Sequence, residues 1–483
     1  MSRPTKIQQF VGVLRRFVYT LVLYVLTPFI LYRLAFRGLR ARGYFSRWFE
    51  RFGFFPDPGI SHSIWVHAVS VGEVNAAAPL IDALRRCYPD DRFVVTTVTP
   101  TGSDRVRQLW GEQVFHVYLP YDLPGAIRRF LGHIHPRIAV IMETEIWPNL
   151  FRQCDRAGIP ILIANARLSR RSLDRYGPVR PLIRVAIRST TFIAAQSLRD
   201  AQRFLELGAR PERVRVVGNL KYDMHVPDHL VKQAHDWRAQ WGAQRPVWIA
   251  ASTHEGEELA VIETHSRLLR WFPDALLIVA PRHPERFRPM VQLCRSYGFL
   301  TACRSEDGLA GPDTQCFVLD TLGELVPFCA AADVAFVAGS LDPVGGHNVL
   351  EPAALGIPVL VGPNTFNFAE VTELLIEHDA CVRIDGVETL TAALQRLLGQ
   401  PELRQRMGAA AIAVVEAERG AAAQTLVIVQ RILAGKTAVT LHCPPSSPPR
   451  SGGDRLNPGW LSRLCQRPVP PPGRPRRRAP EGG

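Results

Sequence analysis

Apolar runs and polar turns alternate along most of this chain with the spacing of paired strands and helices. The clearest unit predicts a strand at Val334–Val337, a glycine-rich loop at Gly339–Gly346, a helix at Asn348–Leu355 and a strand at Val359–Val361. Repeated units with continuous apolar strands predict an α/β fold with parallel, doubly wound sheets. The same pattern predicts strands at Ile64–Val71, Phe93–Thr97, Arg137–Met142, Ile159–Ala164, Phe192–Ala195, Val214–Val217, Val247–Ala250, Leu276–Ala280 and Cys316–Leu319.

A polar stretch, His225–Gln244, separates two series of these units and is interpreted as a linker. A chain of 483 residues is too long for one ordinary hydrophobic core. We therefore predict two Rossmann-like domains that face each other across a cleft. The alanine-rich segment Pro401–Gly435 is expected to be helical.

The N-terminal segment Phe17–Tyr32 carries no charge and has arginines on both sides. It is shorter than the roughly 20 residues that a transmembrane helix needs, and Pro28 is expected to interrupt it. A buried core helix and a cleaved signal peptide are alternatives, although no small-residue cleavage site follows. We favour an uncleaved anchor, either a short span or an interfacial helix, with the basic flank Arg33–Arg51 on the cytoplasmic side of the inner membrane.

The charge of the chain indicates an anionic partner. Lys and Arg number 58 against 44 Asp and Glu, a net charge of +14, which favours a membrane surface, a nucleic acid or a phosphorylated substrate. The 9 cysteines contain no C-x-x-C pair, so we expect mostly buried thiols in a reducing compartment and no structural zinc.

Candidate catalytic residues follow the predicted strands, because ligands gather at the carboxyl ends of parallel strands. Glu73 is expected to start a helix behind a corner at Gly72, where the helix dipole keeps it ionised and able to deprotonate an attacking hydroxyl. A helix N-terminal acid without chemistry is the alternative. Glu143 and Glu145 follow another strand, and Lys221 can pair with either or meet a developing negative charge.

The glycine-rich loop predicts a phosphate site. Gly345 and Gly346 lack a Cβ, so backbone N–H groups can approach an anion, and the positive end of the next helix points there. Glu351, one turn into that helix, is placed to accept hydrogen bonds from sugar hydroxyls. Arg282 and His283, after an earlier strand, form a cationic fork that suits a phosphate. The alternative is a structural turn that holds no ligand.

Seven short motifs occur in order across both predicted domains and allow a more specific identification. They are His67–Glu73 (HAVSVGE), Met142–Asn149 (METEIWPN), Asn165–Ser169 (NARLS), Gly218–Asp223 (GNLKYD), Ser252–Glu257 (STHEGE), Pro281–Arg286 (PRHPER) and Gly345–Glu351 (GGHNVLE). Together they resemble the motifs of bacterial 3-deoxy-D-manno-octulosonic acid (Kdo) transferases. That family has the GT-B fold of two Rossmann-like domains, and the resemblance runs from about residue 10 to about residue 430.

The resemblance implies transfer of Kdo from CMP-Kdo to the tetraacyldisaccharide lipid A precursor (lipid IVA), with inversion and without a metal or other cofactor. By position, Glu73 falls on the family's proposed general base, while Glu143 and Lys221 fall on positions assigned to transition-state stabilisation. The sequence has no Asp-x-Asp pair, which agrees with a metal-free site, and His133 and His135 are interpreted as loop histidines. The CMP-binding positions correspond to Pro281, Arg282, Leu322, Gly323, Glu324, Asn348, Val349, Leu350 and Glu351.

These inferences divide the chain into four parts. They are a membrane anchor with its basic flank (1–44), an acceptor-binding domain (45–225), a CMP-Kdo-binding domain (226–435) and a disordered Pro/Arg-rich tail (436–483). The expected partners are CMP-Kdo, the lipid A precursor and the phospholipid surface, while no oligomeric state is indicated.

Three alternatives stay open from the sequence. One is another GT-B enzyme that takes UDP in place of CMP and acts on a membrane lipid, and another is a non-catalytic lipid-binding protein. A nucleic-acid-binding protein would agree with the charge, but the chain has no recognisable nucleic-acid module.

Overall fold

The computed structural model describes residues 6–40 and 42–435 of the chain. These residues form two compact units. The first unit holds the chain up to Val74, Leu84–Val217 and the chain from Gln424, and the second holds Asn75–Ala83 and Gly218–Ala423. The tail predicted at 436–483 lies outside the described residues. The domain boundaries drawn from the sequence stay predictions.

A seven-stranded parallel sheet forms the core of the first unit. Its strands are β1 Ser63–His67, β2 Arg92–Thr97, β3 Phe115–Tyr118, β4 Pro136–Met142, β5 Ile161–Ala166, β6 Phe192–Ala195 and β7 Val214–Val216. They lie in the order β3-β2-β1-β4-β5-β6-β7. The direction of this order reverses between β1 and β4, and ligands of doubly wound sheets bind beyond the strand ends at such a point.

Helices cover both faces of this sheet because its central strands are buried on both sides. The first unit contains α1 Lys6–Arg40, α2 Val71–Cys87 (shared with the second unit), α3 Pro100–Trp110, α4 Pro124–Ile134, α5 Pro148–Arg156, α6 Arg170–Arg175, α7 Arg180–Ser189 and α8 Leu198–Leu207.

The second unit is also built on a seven-stranded parallel sheet. Its strands are β8 Val247–Thr253, β9 Leu276–Pro281, β10 Thr301–Cys303, β11 Cys316–Val318, β12 Val334–Val337, β13 Val359–Val361 and β14 Cys381–Arg383. They lie in the order β10-β11-β9-β8-β12-β13-β14, so the order reverses between β8 and β12.

The remaining helices flank this second sheet. They are α9 Asp228–Trp241, α10 Glu255–Leu268, α11 Phe287–Ser296, α12 Arg304–Asp307, α13 Leu325–Ala330, α14 Leu350–Ala354, α15 Ala369–Glu377, α16 Val387–Gly399 and α17 Pro401–Ala417, while α18 Ala421–Leu433 lies mostly in the first unit. Two parallel sheets, each with a reversal of strand order, confirm the predicted class of two Rossmann-like α/β domains.

The linker predicted at His225–Gln244 is wrong, because most of it forms helix α9. The polar residues of this stretch mask a narrow apolar stripe that contains Trp237 and Trp241, both buried. The Trp237 ring lies 4.4 Å from the ring of Phe328 on α13, measured between centroids. Aromatic packing therefore fixes a helix that its overall polarity hides.

The corner predicted at Gly72 is also wrong. Strand β1 ends at His67 and α2 begins at Val71, with Ser70 as its N-cap residue, so Gly72 lies inside the helix. The chain leaves the strand early because the Glu73 carboxylate accepts a hydrogen bond from the backbone N–H of Val69 (2.9 Å). A run of apolar residues alone cannot reveal this side-chain bond.

Three strands, β3, β10 and β14, have no counterpart among the sequence predictions. They contain only 4, 3 and 3 residues, and β3 and β10 carry partly exposed positions. Short strands with exposed positions show no continuous apolar run, whereas β11 and β13, which also have 3 residues, are fully buried and were predicted.

Helix α1 continues through Pro28, which contradicts the predicted interruption. Its segment Val11–Leu39 is 29 residues long and contains an 18-residue window with a mean hydropathy of 1.7, so by length and composition it can cross a membrane. The helix also contacts the body of the first unit. The Tyr19 hydroxyl donates to Asp122 Oδ2 (2.9 Å) and Thr20 bonds to Asn149.

Glycine is required where α17 crosses the turn that follows α14. A Cβ at Gly408 would lie 2.0 Å from the carbonyl oxygen of Gly356, whereas a Cβ at Gly132 in α4 has no neighbour within 4 Å. We expect Gly408→Ala to destabilise the protein by about 1–3 kcal/mol through overpacking. The matched variant Gly132→Ala should be neutral or stabilising, by up to about 1 kcal/mol. Thermal unfolding of the two variants beside the wild type measures this difference, and equal melting temperatures would contradict the close approach.

Candidate active site

The predicted catalytic carboxylates of the first unit lie at the point where the strand order reverses. Glu73 is in the first turn of α2, which follows β1, and Glu143 comes directly after β4. Strands β1 and β4 are hydrogen-bonded neighbours. The structure therefore brings these two residues together at the carboxyl edge of the sheet, as the sequence analysis required.

Glu73 is held from its own turn. Oε2 accepts the Val69 N–H (2.9 Å) and Oε1 faces the Ser70 hydroxyl at 3.4 Å. Burial raises the pKa of Glu73 to about 8, and repulsion from Glu143 and Glu145 adds to this rise against the two hydrogen bonds. The prediction that the helix dipole keeps Glu73 ionised is therefore wrong, because burial and two nearby carboxylates outweigh a helix N-terminus. A carboxyl group with this pKa is still matched to base chemistry near neutral pH.

The strand ends beside Glu73 carry strained backbone. Glu143 has φ 56° and Asn165 on β5 has φ 51°, a left-handed conformation that costs a residue with a side chain about 1–3 kcal/mol. The Glu143 N–H donates to the carbonyl of Ala164 (2.9 Å), so the sheet bond is kept while the side chain leaves the strand direction. Such strain is concentrated at functional sites in proteins.

Glu145 is the third carboxylate of this cluster. Its Oε2 accepts a hydrogen bond from Trp147 Nε1–H (2.7 Å). Burial raises the pKa of Glu145, as does repulsion from Glu143, while the bond from Trp147 lowers it. The three acids together form a site that binds a proton more tightly than a single exposed carboxylate does.

Lys221 belongs to the second unit, in the short turn Leu220–Asp223. This turn is anchored by Asp223, whose two oxygens accept the backbone N–H groups of Gly420 and Ala422 (2.7 Å each). The Lys221 ammonium lies 5.2 Å from the centre of the Phe368 ring. Its backbone is fixed while its charged end rests on an aromatic face. The predicted role of Lys221 in catalysis stays a prediction.

The glycine-rich loop after β12 already holds a carboxylate of the protein. The buried Glu257, from α10, accepts the N–H of Gly339 and the N–H of Leu341 (3.3 Å). The N–H of Gly346 donates to the carbonyl of Gly339 (2.7 Å). The Glu257 carboxylate therefore already accepts hydrogen bonds from N–H groups that were predicted to bind an anion, and it fixes the conformation of the loop. Glu257 was missed as a ligand of the loop because it lies 82 residues earlier than Gly339 in the chain.

Helix α14 differs from its prediction in length. It covers Leu350–Ala354, only 5 residues, so the expected helix from Asn348 with a strong positive end is wrong. Asn348 instead ties the turn together, since its Oδ1 accepts the Leu350 N–H (3.1 Å) and its Nδ2 donates to Glu351 Oε1 (3.0 Å). Val349 and Leu350 are buried, while Glu351 is partly exposed.

The strand ends of the second unit carry a cluster of imidazoles, of which the sequence analysis assigned only His283. His254 and His347 have stacked rings with Nε2 atoms 2.9 Å apart, and the His283 ring lies 5.4 Å from the His254 ring. Burial lowers the pKa of His347 to about 4, helped by His254, Arg282 and His283, and burial also lowers the pKa of His254. At neutral pH the stacked pair therefore shares one N–H···N hydrogen bond.

Arg282 is exposed beside this cluster. Its backbone N–H donates to the carbonyl of Thr253 (3.0 Å), which fixes it where β8 and β9 end. The buried Pro281 ends β9. The position of these histidines could have revealed them in the sequence, because each one follows a strand of the second sheet and lies within one of the seven motifs. This edge of the second sheet therefore combines the cationic Arg282 with imidazole rings that can donate hydrogen bonds.

The turn Leu322–Glu324 lies on the surface after β11. Leu322 is 68% exposed and Gly323 has a positive φ of 90°. Arg304 donates to both oxygens of Glu324 (2.6–3.2 Å) and, with the Thr321 hydroxyl, lowers its pKa. The predicted CMP contact at Glu324 would therefore compete with an existing ion pair.

One group within the described residues has the spacing of metal ligands: Cys303, Glu306 and Asp307. It does not fit a metal well, because burial raises the pKa of the Cys303 thiol to about 11 and Asp307 already accepts the Cys303 N–H (2.7 Å). His133 lies inside α4, which corrects its interpretation as a loop histidine, and His135 is the C-cap residue of that helix. The cysteines of the described residues are free, and all except Cys87 are buried, as expected.

Comparisons with known proteins assign the family. The sequence model of the family described as 3-deoxy-D-manno-octulosonic-acid transferase (kdotransferase) matches residues 46–224. The chain is 40% identical to the 3-deoxy-D-manno-octulosonic acid transferase of Haemophilus influenzae, with 84% of this chain and 96% of that protein covered. It is 37% identical to the protein of the same name from Bordetella pertussis, with 85% and 98% covered.

A solved glycosyltransferase from Rickettsia africae has the same fold, with a TM-score of 0.52 at 12% identity over 77% of this chain and 99% of that chain. The match confirms the GT-B-like fold class. Since the relatives are similar over nearly their whole length, the family predicted from the seven motifs is confirmed. The chain belongs to the Kdo transferase family of glycosyltransferases.

Proposed function

We propose that this chain transfers Kdo from CMP-Kdo to the tetraacyldisaccharide lipid A precursor, with inversion, at an early step of lipopolysaccharide assembly. The observation that carries the proposal is the partly buried Glu73 carboxyl beside Glu143 at the reversal point of the first sheet. Its pKa of about 8 suits a group that takes a proton from a sugar hydroxyl near neutral pH.

The chemistry follows from the charges of the residues involved. A hydroxyl oxygen of the acceptor sugar loses its proton to Glu73 as it forms a bond to the anomeric carbon of Kdo. The bond from that carbon to the phosphate oxygen of CMP breaks, and CMP leaves with the electron pair. Attack opposite the leaving phosphate inverts the anomeric configuration. The proton stays on Glu73 until it passes to water.

The departing phosphate needs positive charge. Arg282 supplies it at the strand ends of the second unit, beside the imidazole cluster of His254, His283 and His347, whose ring N–H groups can donate hydrogen bonds. Charge-assisted hydrogen bonds from such groups stabilise a leaving phosphate without a metal ion. Lys221 is proposed to stabilise the same transition state, and Glu143 to hold the acceptor hydroxyl. The short helix α14 contributes little, and Asn348 and Glu351 are proposed to contact the nucleotide through the turn that they hold together.

The acceptor is a lipid, so the enzyme must work at a membrane. Helix α1 supports this proposal because its outward side carries large exposed apolar residues, among them Phe17 (64% exposed), Val25 (69%) and Tyr32 (68%). We place the enzyme at the cytoplasmic side of the inner membrane, where CMP-activated sugars are made.

Transfer by the purified full-length chain, with EDTA present and products resolved by mass, tests this function. The wild type should convert the lipid A precursor to products heavier by one or more Kdo residues, and Glu73→Ala should lose roughly 10²–10⁴-fold in rate because general base catalysis is lost. CMP should protect both proteins equally from thermal unfolding. A wild type without transfer would exclude this donor and acceptor pair, and a fully active variant would leave Glu73 with a structural role only.

The crowded carboxylates predict an unusual pH dependence. Since the folded pKa of Glu73 is raised, the base is protonated below it, and kcat/KM should rise with pH towards about 8. Glu145→Gln keeps the acceptor for Trp147 but removes one negative charge, so the rising limb should move to lower pH by a fraction of a unit. Glu112→Gln, at an exposed position, serves as a control and should not change the pH at which kcat/KM rises. A rise of kcat/KM centred near the pKa of an ordinary carboxylate would contradict the crowding of these carboxylates.

A further inference from the structure

A cavity of about 390 Å³ lies in the first unit between helix α1 and the body of the domain. This volume is within the usual range for sites of small-molecule ligands, roughly 300–1,000 Å³. Its wall is mostly apolar and includes Leu23, Ile30 and Leu34 from α1 together with Leu123 and Trp147 from the body. The cavity is not part of the catalytic cluster described above.

The lining residues of α1 form one helical face. Tyr19, Leu23, Thr27, Ile30, Leu34 and Arg37 all line the cavity and are spaced three or four residues apart. The opposite side is exposed and apolar, with Leu21, for example, 50% exposed. Helix α1 therefore has one side on the cavity and the other free to contact lipid, as an interfacial anchor requires.

A buried cation without a full set of partners lies in the cavity wall. Arg51 is 2% exposed, and its Nε–H has no hydrogen-bond partner among the residues that the structure describes. One terminal nitrogen donates to the carbonyl of Val98 (2.8 Å), and the guanidinium lies 4.3 Å from the centre of the Tyr118 ring. The adjacent Glu50 is engaged by Arg47 (2.6 Å) and by the Tyr118 N–H (2.9 Å). A buried guanidinium in this position is stabilised by an anion from outside the chain.

Two further arginines add positive charge to the wall. Arg33 and Arg37 also line the cavity. Asp122 is the one carboxylate in the wall, and its oxygens accept hydrogen bonds from Tyr19, from the Asn149 N–H (3.0 Å) and from the Leu150 N–H (2.8 Å). The cavity therefore combines an apolar wall with unmatched positive charge.

The cavity reaches the neighbourhood of the candidate base through Thr99. This residue lines the cavity and its hydroxyl donates to the carbonyl of Val69 (3.3 Å). The N–H of the same Val69 donates to the Glu73 carboxylate (2.9 Å). Val69 therefore connects the cavity wall at Thr99 to the Glu73 carboxylate.

We propose that this cavity binds the acceptor lipid, with an acyl chain against Leu23, Ile30 and Leu34 and a phosphate of its head group on Arg51. This inference rests on the proposed function, because it names the subsite that holds the acceptor of that reaction. An acylated and phosphorylated sugar has the two properties that the wall matches, apolar length and negative charge. The contact with Thr99 places its sugar beside Glu73.

A pair of substitutions on α1 tests the acyl contact. Leu23→Trp fills the cavity, whereas Leu21→Trp makes the same change on the opposite side of the helix. With the full-length enzyme, Leu23→Trp should raise the KM for the acylated acceptor at least roughly tenfold, equal to about 1.4 kcal/mol, and leave the KM for CMP-Kdo unchanged. For an acceptor whose acyl chains have been removed, Leu23→Trp and Leu21→Trp should give equal KM values.

The phosphate contact is tested with Arg51→Met, which removes the cation but keeps apolar volume, beside Arg51→Lys. The wild type should bind the phosphorylated acceptor about tenfold or more tightly than the dephosphorylated one, as a charge-assisted bond requires. Arg51→Met should lose this discrimination and Arg51→Lys should retain part of it. If Arg51→Met does not fold, the Leu23→Trp comparison still decides the proposal.

Acceptor binding measured without donor separates failure of this inference from failure of the proposed function. If the wild type transfers no Kdo yet binds the lipid with the expected dependence on Leu23, the cavity is a lipid site and the reaction is wrong. If Leu23→Trp and Leu21→Trp have equal affinity for the acylated acceptor, the cavity is not its subsite. Co-purified phospholipid that is lost in Leu23→Trp, with unchanged acceptor affinity, would assign the cavity to a membrane lipid and overturn the proposal.

Discussion

The first unit depends on three carboxyl groups that share one edge of a parallel sheet. Glu73, Glu143 and Glu145 repel one another, and burial of Glu73 raises its pKa to about 8. The fold accepts this arrangement because the Val69 N–H holds Glu73 and the sheet bond at Ala164 holds Glu143. Burial, together with this repulsion, raises the pKa of Glu73 into the range that the proposed proton transfer from a hydroxyl requires.

The second unit uses the same construction with the opposite charge. Its strand order reverses between β8 and β12, and the residues after these strands are His254 and the glycine-rich loop. Glu257 accepts hydrogen bonds from backbone N–H groups of the loop and holds it in place, while Arg282 leaves positive charge at the strand ends beside the stacked imidazoles. In the proposed reaction, the first unit supplies the base for the acceptor, and Arg282 of the second unit supplies positive charge for the leaving phosphate.

The sequence predicted the parts of this arrangement that depend on local pattern. The apolar strands, the reversal of two Rossmann-like sheets and the placement of Glu73 and Glu143 at strand ends follow from residue order alone. The prediction failed where distant residues decide the outcome. Trp237 can be recognised as a core residue only from its packing against Phe328. Glu257 reaches the loop from 82 residues away. The protonation of Glu73 depends in part on Glu143 and Glu145. In the sequence, Arg51 is one arginine of a basic flank. Its burial could not be predicted there, because it depends on Tyr118 and helix α1.

The protonation of Glu73 in the free enzyme tests the central claim most directly. Infrared difference spectra between the wild type and Glu73→Gln, recorded across a pH series, isolate the C=O stretch of a protonated Glu73 side chain. The account predicts that this band is present at neutral pH and disappears as the pH rises through about 8. A Glu73 that is already ionised below pH 6 would contradict the crowding of the three carboxyl groups and the base assignment built on it.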